Sequence, residues 1–107
     1  MKILKFRESL SKLIIDGKKT KTWRLFDDKY LKRGDILSLC IWETGKEFAK
    51  AKIISVKELK FKDLNEKDKE GHEKFSSDNE MYETYSNYYN KQVIPETKLK
   101  VIEFKII

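Results

Sequence analysis

The spacing of apolar residues changes along this chain, and each change predicts a new element. Between Glu8 and Asp16 the apolar residues recur at helical spacing, and Gly17 stands where the left-handed residue after a helix belongs. Elsewhere, runs rich in β-branched and aromatic residues predict strands. The expected strands cover residues 2–6, 20–24, 35–43, 48–56 and 98–107. A polar loop or short helical turn is expected at 26–32, and Thr44–Lys46 predicts a hairpin turn.

The second half of the chain is more acidic and predicts one further helix. For residues 58–75 we expect the end of a strand and then a polar helix or loop near 65–73. Ser77 and Glu80 have the spacing of a capping box, in which the serine oxygen accepts a hydrogen bond from the Glu80 amide and the glutamate side chain reaches back. This spacing predicts that a helix begins after Ser77.

Large aromatic residues are expected mostly in the core, because the strands of a small barrel need large apolar side chains to fill its interior. Three of them are predicted there: Trp23, Trp42 and Phe48. The second helix carries more tyrosines than one buried face can hold. We expect Tyr85 and Tyr88 to pack with Met81. Either Tyr82 or Tyr89 should then stay exposed, where it could stack on a nucleobase.

The order of the predicted elements favours an α+β fold. A strand, a helix, several strands, a second helix and a last strand follow one another. Antiparallel strands with small helices indicate a small β-barrel, closed or partly open, with about five to six mainly antiparallel strands and two or three short helices. With 107 residues, the chain is expected to form one domain over residues 1–107.

Charge is distributed unevenly along the chain. Residues 1–60 carry a net charge of +8 and residues 61–107 a net charge of −2, which gives the +6 of the whole sequence. A basic half favours phosphate-bearing partners such as RNA, while lysines also serve simply to keep a surface solvated. Charge alone therefore leaves both interpretations open.

The cysteine content and the absence of long apolar runs indicate the compartment. Cys40 is the only cysteine, so no disulfide within the chain is possible. No apolar run approaches the roughly 18 residues that a membrane span needs, and the N-terminus has no signal-peptide pattern. We expect a soluble, cytoplasmic protein without a membrane partner. Because His72 is the only histidine and Cys40 is alone, we expect no metal, and no cofactor fingerprint is present.

The densest group of candidate functional residues lies between the first helix and the second strand. Residues 17–24 read GKKTKTWR, a basic turn that can collect an anion or a polar heterocycle. Thr22 and Arg24 share one face of the predicted strand. Lys19 can converge with Thr22 only if it lies in the turn below the strand, and Gly17 allows such a turn.

Each of these residues has a structural and a chemical interpretation. Gly17 can be a helix cap, Lys19 a solvated lysine and Thr22 an ordinary strand residue. Arg24 can pair with a core carboxylate, or bind a phosphate or a base edge. If Lys19 is partly desolvated, it loses basicity and could act as a base or stabilise an oxyanion, and a neighbouring Thr22 hydroxyl could become a nucleophile. The spacing alone leaves these alternatives open.

The pattern of these residues resembles the ASCH domain. The shared features are G-x-K-x-x-T-x-R at residues 17–24, the Gly34-Asp35 turn and the hydrophobic strand after it. The resemblance continues through the hairpin and an acidic helical insert to the closing strand Val101–Phe104. It implies a small PUA-like β-barrel with a cleft between the barrel and its helices. ASCH domains are believed to bind RNA, and one branch of about this length includes bacterial enzymes that hydrolyse acetylcytidine to cytidine.

The resemblance also implies roles for single residues. The proposed catalytic lysine and threonine of the enzymatic branch match Lys19 and Thr22. The catalytic glutamate matches Glu70, with Glu73 as the alternative. Thr22 would attack the amide carbonyl, Lys19 would take its proton, and Glu70 would protonate the departing amine. Arg24 would hold the substrate or orient Glu70. The residues expected to bind RNA or another ligand are Gly17, Lys18, Lys19, Lys21, Thr22, Arg24 and Tyr82.

Three functions from different classes remain open. The first is an RNA- or modified-nucleoside-binding domain with a basic cleft around residues 17–24. The second is an amidohydrolase that converts N(4)-acetylcytidine to cytidine. The third is a coregulator-type module recognised by a protein partner, which predicts an exposed apolar patch. Ribonuclease activity is described for other ASCH proteins, but its residues cannot be matched to this chain. A monomer is favoured, with RNA or a modified nucleoside as the partner.

Overall fold

The computed structural model of the protein describes residues 1–27 and 29–107. In this part of the chain, five strands form one sheet and three α-helices accompany it. The strands are β1 (Lys2–Phe6), β2 (Lys21–Arg24), β3 (Ile36–Ile41), β4 (Glu47–Lys60) and β5 (Lys98–Ile106). The helices are α1 (Glu8–Ile15), α2 (Glu66–Lys69) and α3 (Asp78–Tyr89), with a 3₁₀ turn at Phe61–Asp63.

The sheet is mixed and curled into a half-barrel. Its strand order is β1-β3-β4-β5-β2, in which β1 and β3 run parallel and the other neighbours run antiparallel. Register shifts between Leu39 and Cys40 and between Ile53 and Ser55 mark β-bulges, which bend the strands and help the sheet to curl. The strands β1 and β2 are the two edges of the sheet. The predicted α+β fold, a partly open barrel with mainly antiparallel strands, is confirmed.

Two groups of buried side chains fill the molecule. Members of the first group include Leu4, Phe6, Ile14, Leu37 and Phe104. Members of the second include Trp23, Phe61, Met81, Tyr85 and Leu99. Neighbouring residues of β5 point to different groups, because side chains alternate along a strand: Val101 is in the second group and Ile102 in the first. The helix α1 packs on the first group through Ile14, and α3 packs on the second through Met81 and Tyr85.

The end of the first helix lies where the sequence predicts it. Asp16 is the C-cap of α1, and Gly17 has a φ of +77°, the left-handed conformation that glycine adopts without strain. In the loop predicted at 26–32, Phe26 and Tyr30 also have positive φ, and Asp28 lies outside the described residues. Within residues 1–27 and 29–107, no helix is long and apolar enough to cross a membrane.

The capping box predicted at Ser77 and Glu80 is only half formed. The Ser77 hydroxyl oxygen accepts a hydrogen bond from the Glu80 amide at 3.1 Å, as predicted. The Glu80 carboxylate, however, accepts from the amide and hydroxyl of Ser76, which offer it two donors instead of one. A complete box forms at α2, where the side chains of Asn65 and Asp68 accept from each other's backbone amides.

Two predictions about aromatic residues were wrong. Trp42 is 57 % exposed, because β3 ends at Ile41 and Trp42 belongs to the turn that follows. Tyr88 is 50 % exposed, whereas Tyr82 and Tyr89 are half-buried. The buried face of α3 follows a spacing of four through residues 81, 85 and 89, which leaves Tyr88 at its border.

Candidate functional site

A cleft of about 430 Å³ is lined by both edge strands of the half-barrel. Its walls come from the end of β1, from α1, from β2, from α3 and from the turn after β3. Lys19, Thr22 and Arg24 line the cleft together with Glu73. The cleft therefore brings together segments that are far apart in the sequence.

Lys19 lies in the turn between α1 and β2. The turn folds back on the helix, because the amides of Lys18 and Lys19 both donate to the Leu13 carbonyl, at 2.9 and 3.1 Å. This path directs the Lys19 side chain into the cleft, and the residue is only 2 % exposed. Its Nζ donates to the Lys21 carbonyl at 2.7 Å and to Glu73 Oε2 at 2.6 Å. The buried ammonium group thus has a backbone acceptor and an opposite charge.

Burial and pairing have opposite effects on these two charges. Desolvation lowers the pKa of Lys19, and the attraction of Glu73 only partly restores it. Burial on its own would raise the pKa of Glu73, but the charge and hydrogen bond of Lys19, helped by His72, bring that pKa below its usual value. The pair is ionised at neutral pH, with a lysine that releases its proton more easily than a lysine in water.

Arg24 orients Thr22 and connects the two edge strands. Its Nε donates to Thr22 Oγ1 at 3.1 Å, which leaves the hydroxyl proton of Thr22 free to point to another acceptor. Its Nη2 donates to the Lys5 carbonyl of β1 at 3.0 Å, and the guanidinium carbon lies 4.6 Å from the centroid of the Phe6 ring. Burial is the main reason why the pKa of Arg24 is lowered.

The segment of residues 70–73 places a glutamate in the cleft. The Gly71 carbonyl accepts hydrogen bonds from the amides of Thr20 and Lys21, at 2.8 and 3.1 Å. Gly71 has a φ of +75°, and a Cβ atom there would lie 2.1 Å from Thr20 Oγ1. Any other residue at this position would be strained by the backbone conformation and would displace the Thr20 side chain. The close approach fixes where the residues after Gly71 lie.

His72 anchors the same segment from inside the protein. Its ring stacks on Trp23, with 3.9 Å between the centroids and 14° between the planes. Burial, with the nearby charge of Lys19, lowers the pKa of His72 to about 4, so the ring is neutral at neutral pH. Its Nδ1 lies 2.8 Å from the Glu73 carbonyl and must donate, because a carbonyl only accepts. Its Nε2, 3.0 Å from the Tyr85 hydroxyl, therefore accepts.

The structure separates the two candidate glutamates. Glu73 lines the cleft and pairs with Lys19. Glu70 is exposed and lies after the last turn of α2, where its amide donates to the Glu66 carbonyl at 3.2 Å. The described residues that line the cleft do not include Glu70. The glutamate preferred from the sequence is thus the one farther from Lys19 and Thr22.

Four of the predicted ligand-binding residues lie away from the cleft. Gly17 and Lys18 are exposed in the turn after α1. Lys21 points to α2, where its Nζ donates to the Lys67 carbonyl at 2.6 Å. Tyr82 packs against the second buried group, with its centroid 5.7 Å from that of Phe61. Of the seven predicted ligand-binding residues, the cleft is therefore lined by Lys19, Thr22 and Arg24.

Arg7, Trp42 and Tyr88 are among the cleft residues that were not predicted from the sequence as part of a site. For two of them the position in the sequence gives a weak indication of a site, because Arg7 is the single residue between β1 and α1 and Trp42 follows directly on a buried strand. The spacing of the three residues does not predict that they lie together. Among residues 1–27 and 29–107, no three His, Cys, Asp or Glu side chains are grouped so that they could hold a metal ion.

Comparison with known proteins identifies the family. The family model of the ASCH domain matches residues 2–107. The solved structure of the hypothetical protein PH0355 superposes with a TM-score of 0.75 at 29 % identity, and the match covers 100 % of both chains. An ASCH domain from Lactobacillus crispatus JV V101 superposes with a TM-score of 0.73 at 16 % identity, over 98 % of this chain and 79 % of that one.

A mutant form of ZmASCH from Zymomonas mobilis has the same fold, with a TM-score of 0.67 at 16 % identity over 96 % of this chain and 66 % of that one. A search of curated proteins found no match. The family model nevertheless spans nearly the whole chain, and the solved ASCH domains share its half-barrel. This protein therefore belongs to the ASCH domain family.

Proposed function

We propose that the cleft binds one nucleoside unit, either of RNA or of a free modified nucleoside. The observation that carries this proposal is the buried Lys19–Glu73 pair in a cleft of about 430 Å³, a volume within the range of small-molecule sites. A nucleobase presents donors and acceptors along its edge, which a lysine, a glutamate and a hydroxyl group can match. The ASCH family is broadly RNA-binding, which supports this class of ligand.

The walls of the cleft also suit a flat ring. Aromatic side chains from both buried groups reach its lining, among them Phe6, Trp23 and Tyr85. Unpaired bases of RNA are commonly recognised by polar contacts at the edge and aromatic contacts at the face. The cleft is lined by polar groups of Lys19, Thr22 and Glu73 and by aromatic rings, which supports that mode of binding.

Binding is tested by titration calorimetry with acetylcytidine, cytidine and a short RNA. We expect Lys19→Met to lower the affinity for the tightest-binding of these ligands by about tenfold, because a charged hydrogen-bond donor is lost. Lys46→Met, at an exposed lysine of the hairpin turn, is the matched control and should leave the affinity unchanged. The same effect in both variants, or no effect in either, would contradict the proposal.

A second candidate function is hydrolysis of acetylcytidine, and the 2.6 Å contact between Lys19 Nζ and Glu73 Oε2 favours it. Transfer of one proton along this contact gives a neutral amine and a carboxylic acid at the same time. Burial favours the neutral forms of both groups, whereas their mutual attraction favours the ionised forms. The pair could then supply a base and an acid to one substrate.

The proposed reaction uses first the neutral amine of Lys19 and then the carboxylic acid of Glu73. Thr22 Oγ1 attacks the amide carbonyl carbon while neutral Lys19 takes the hydroxyl proton. The C–N bond breaks as Glu73 gives its proton to the departing amine, so cytidine leaves and an acetyl ester remains on Thr22. Water then hydrolyses the ester to acetate and a proton, which restores the hydroxyl group. Arg24 holds the oxygen in place through its 3.1 Å hydrogen bond.

Turnover is measured as cytidine released from acetylcytidine, followed by chromatography. Thr22→Val keeps the shape of the side chain and should abolish turnover, whereas Thr22→Ser should retain part of it. Glu73→Gln should abolish turnover and Glu70→Gln should retain it, and the reverse result would assign the acid to Glu70. If the wild type binds acetylcytidine without turnover, the enzymatic candidate is removed and the binding function stands.

A further inference from the structure

The outer part of the cleft carries two exposed aromatic rings with a cation beside both. Trp42 is 57 % exposed and Tyr88 is 50 % exposed, and both line the cleft. The guanidinium carbon of Arg7 lies 5.4 Å from the centroid of the Trp42 ring and 5.9 Å from that of the Tyr88 ring. We call these three the mouth residues: Arg7, Trp42 and Tyr88.

The mouth residues are held by three separate elements. The Trp42 amide donates to the Phe6 carbonyl at 2.7 Å, which continues the pairing of β1 with β3. Arg7 is the N-cap residue of α1, and Tyr88 lies in the last turn of α3. Because these elements are part of the folded framework, the surface that they present is formed before a ligand arrives.

Folding alone does not account for the exposure of these rings. Trp42 and Tyr88 belong to neither buried group, although Tyr88 touches Tyr85 edge to face at 5.7 Å. A large exposed ring leaves apolar surface in water, whereas the same ring buried in the core would stabilise the fold. Exposed tryptophan, tyrosine and arginine side chains that cluster together are typical of binding surfaces.

The charges at the cleft favour an anionic ligand. Four basic side chains line it: Lys5, Arg7, Lys19 and Arg24. The one acidic side chain in the described lining is Glu73, which is already paired with Lys19. Among the described residues, Arg7 has no carboxylate partner, and the nearby Glu43 carboxylate accepts from the Glu8 amide at 3.1 Å. The Arg7 guanidinium can therefore pair with a phosphate.

We propose that the mouth residues form a second subsite, which binds the nucleotide next to the one in the cleft. The neighbouring base stacks on Trp42, the more exposed of the two rings, and the phosphate between the two nucleotides pairs with Arg7. The ligand is then a single-stranded RNA segment, because a base within a duplex is stacked on its neighbours and cannot lie against a side chain. This inference rests on the proposed binding of a nucleoside unit in the cleft.

Three probes separate the parts of this ligand: acetylcytidine, its 3′-monophosphate, and a trinucleotide with acetylcytidine between two adenosines. In titration calorimetry the trinucleotide should bind about tenfold more tightly than the nucleoside, the gain expected from stacking a base on an aromatic ring. Trp42→Leu, which removes the stacking ring, and Arg7→Gln, which removes the charge beside it, should each lower the ratio of these two affinities. Trp42→Phe keeps a ring and should retain most of the ratio. Tyr30→Leu and Arg33→Gln, at exposed positions outside the cleft, are the matched controls.

The outcomes distinguish this subsite from the proposed function. If the wild type binds the nucleoside and the trinucleotide equally well, the subsite is overturned and the proposed function stands. A monophosphate that binds as tightly as the trinucleotide also overturns it, because the neighbouring base then contributes nothing. If none of the three probes binds, the proposed function fails and the subsite fails with it. Circular dichroism of each variant shows whether it is folded, so that a lower ratio of the trinucleotide and nucleoside affinities is not caused by unfolding.

Discussion

Lys19 and Glu73 form an ion pair whose partners differ in their access to water. The side chain of Lys19 is 2 % exposed and that of Glu73 is 24 % exposed. Loss of the carboxylate charge would leave a buried ammonium group with only neutral acceptors, such as the Lys21 carbonyl. A charge that is buried and unpaired is costly, because the interior cannot replace the water that solvated it.

Glu73→Gln should therefore lower the free energy of unfolding by about 3 kcal/mol at neutral pH, the lower end of the range for breaking a buried ion pair. Urea unfolding measures this loss, with Glu83→Gln on the exposed side of α3 as the matched control. The pairing lowers the pKa of Glu73, so its contribution is present above the usual pKa of 4.5 and disappears as the pH falls below it. A loss no larger than in the control would mean that the pair does not stabilise the fold.

His72 makes the protein sensitive to acid at a higher pH than Glu73 does. Burial lowers the pKa of His72 from 6.5 to about 4, so between these values the unfolded chain binds a proton that the folded chain does not bind. Stability should fall as the pH drops from 6.5 to about 4, by on the order of 3 kcal/mol in total. No other histidine contributes, because His72 is the only one in the sequence.

The contribution of His72 is measured by urea unfolding at several pH values across this window. In His72→Phe, which keeps a ring against Trp23, the part of the slope due to the histidine should be absent. The stability of the wild type relative to the variant should therefore fall as the pH drops through this window. Parallel pH profiles for the two proteins would show that His72 is not buried in its neutral form.

Among the elements of the fold, the segment 70–73 completes the cleft, and its position depends on a close contact with the start of β2. Gly71 and Gly45 have nearly the same φ, +75° and +74°. A Cβ atom at Gly45 would meet nothing within 4 Å, whereas one at Gly71 would lie 2.1 Å from Thr20 Oγ1. The two glycines therefore separate the cost of backbone strain from the cost of the close approach.

Gly45→Ala should cost about 1 kcal/mol, for left-handed strain alone. Gly71→Ala should cost about 2 kcal/mol, because the Thr20 side chain must also rotate or the two segments must move apart. Thr20→Ala removes the clashing oxygen, so in that background the two costs should become similar. Thermal or urea unfolding of the two glycine variants, of Thr20→Ala and of the two double variants measures this. Equal costs in the wild-type background would contradict the role given to the contact.

The choice between Glu70 and Glu73 shows how far the sequence predicts the site. Thr22 and Arg24 are placed in the cleft by local geometry: the helix ends at Gly17, and the two residues share one face of β2. Residue spacing predicts both features. The segment that carries the glutamates has no apolar periodicity. Its position comes from the Gly71 carbonyl against the Thr20 amide, a contact between distant parts of the chain. Spacing cannot distinguish two glutamates in such a segment.

In the molecule as a whole, the edges of the half-barrel are connected across the cleft by Arg24. The residue belongs to β2 and donates to the Lys5 carbonyl of β1 at 3.0 Å. The backbone of a sheet edge is less protected than that of a central strand, and hydrogen exchange reports such local opening. A contact between the edges should therefore protect both of them.

Arg24→Lys should weaken this connection, because an ammonium group lacks the fixed fork with which a guanidinium reaches Thr22 Oγ1 and the Lys5 carbonyl together. We expect faster amide hydrogen exchange in β1 and β2, with little change in β3 and β4. Arg33→Lys, at an exposed arginine, is the matched control. Faster exchange in all strands alike would indicate general destabilisation and contradict a local connection.

The architecture was more predictable than the cleft, because much of it is built by neighbouring segments. Two apolar runs flank the Thr44–Lys46 turn, and a hairpin is the direct consequence. The strands β1 and β3 pair in parallel and are not joined by such a turn, so their pairing could not be predicted from neighbouring residues. The exposure of Trp42 was missed for a similar reason, since an unbroken apolar run does not show where the strand ends.

The two tryptophans of the chain lie in opposite environments, which gives the protein a spectroscopic signal of its own. Trp23 is 3 % exposed and Trp42 is 57 % exposed. An indole emits at a shorter wavelength in an apolar interior than in water, so the fluorescence of the folded protein should combine a blue and a red component. A molecule that covers the mouth of the cleft would change the red component, whereas unfolding would shift the blue one. Occupancy and folding could thus be followed separately in one unlabelled sample.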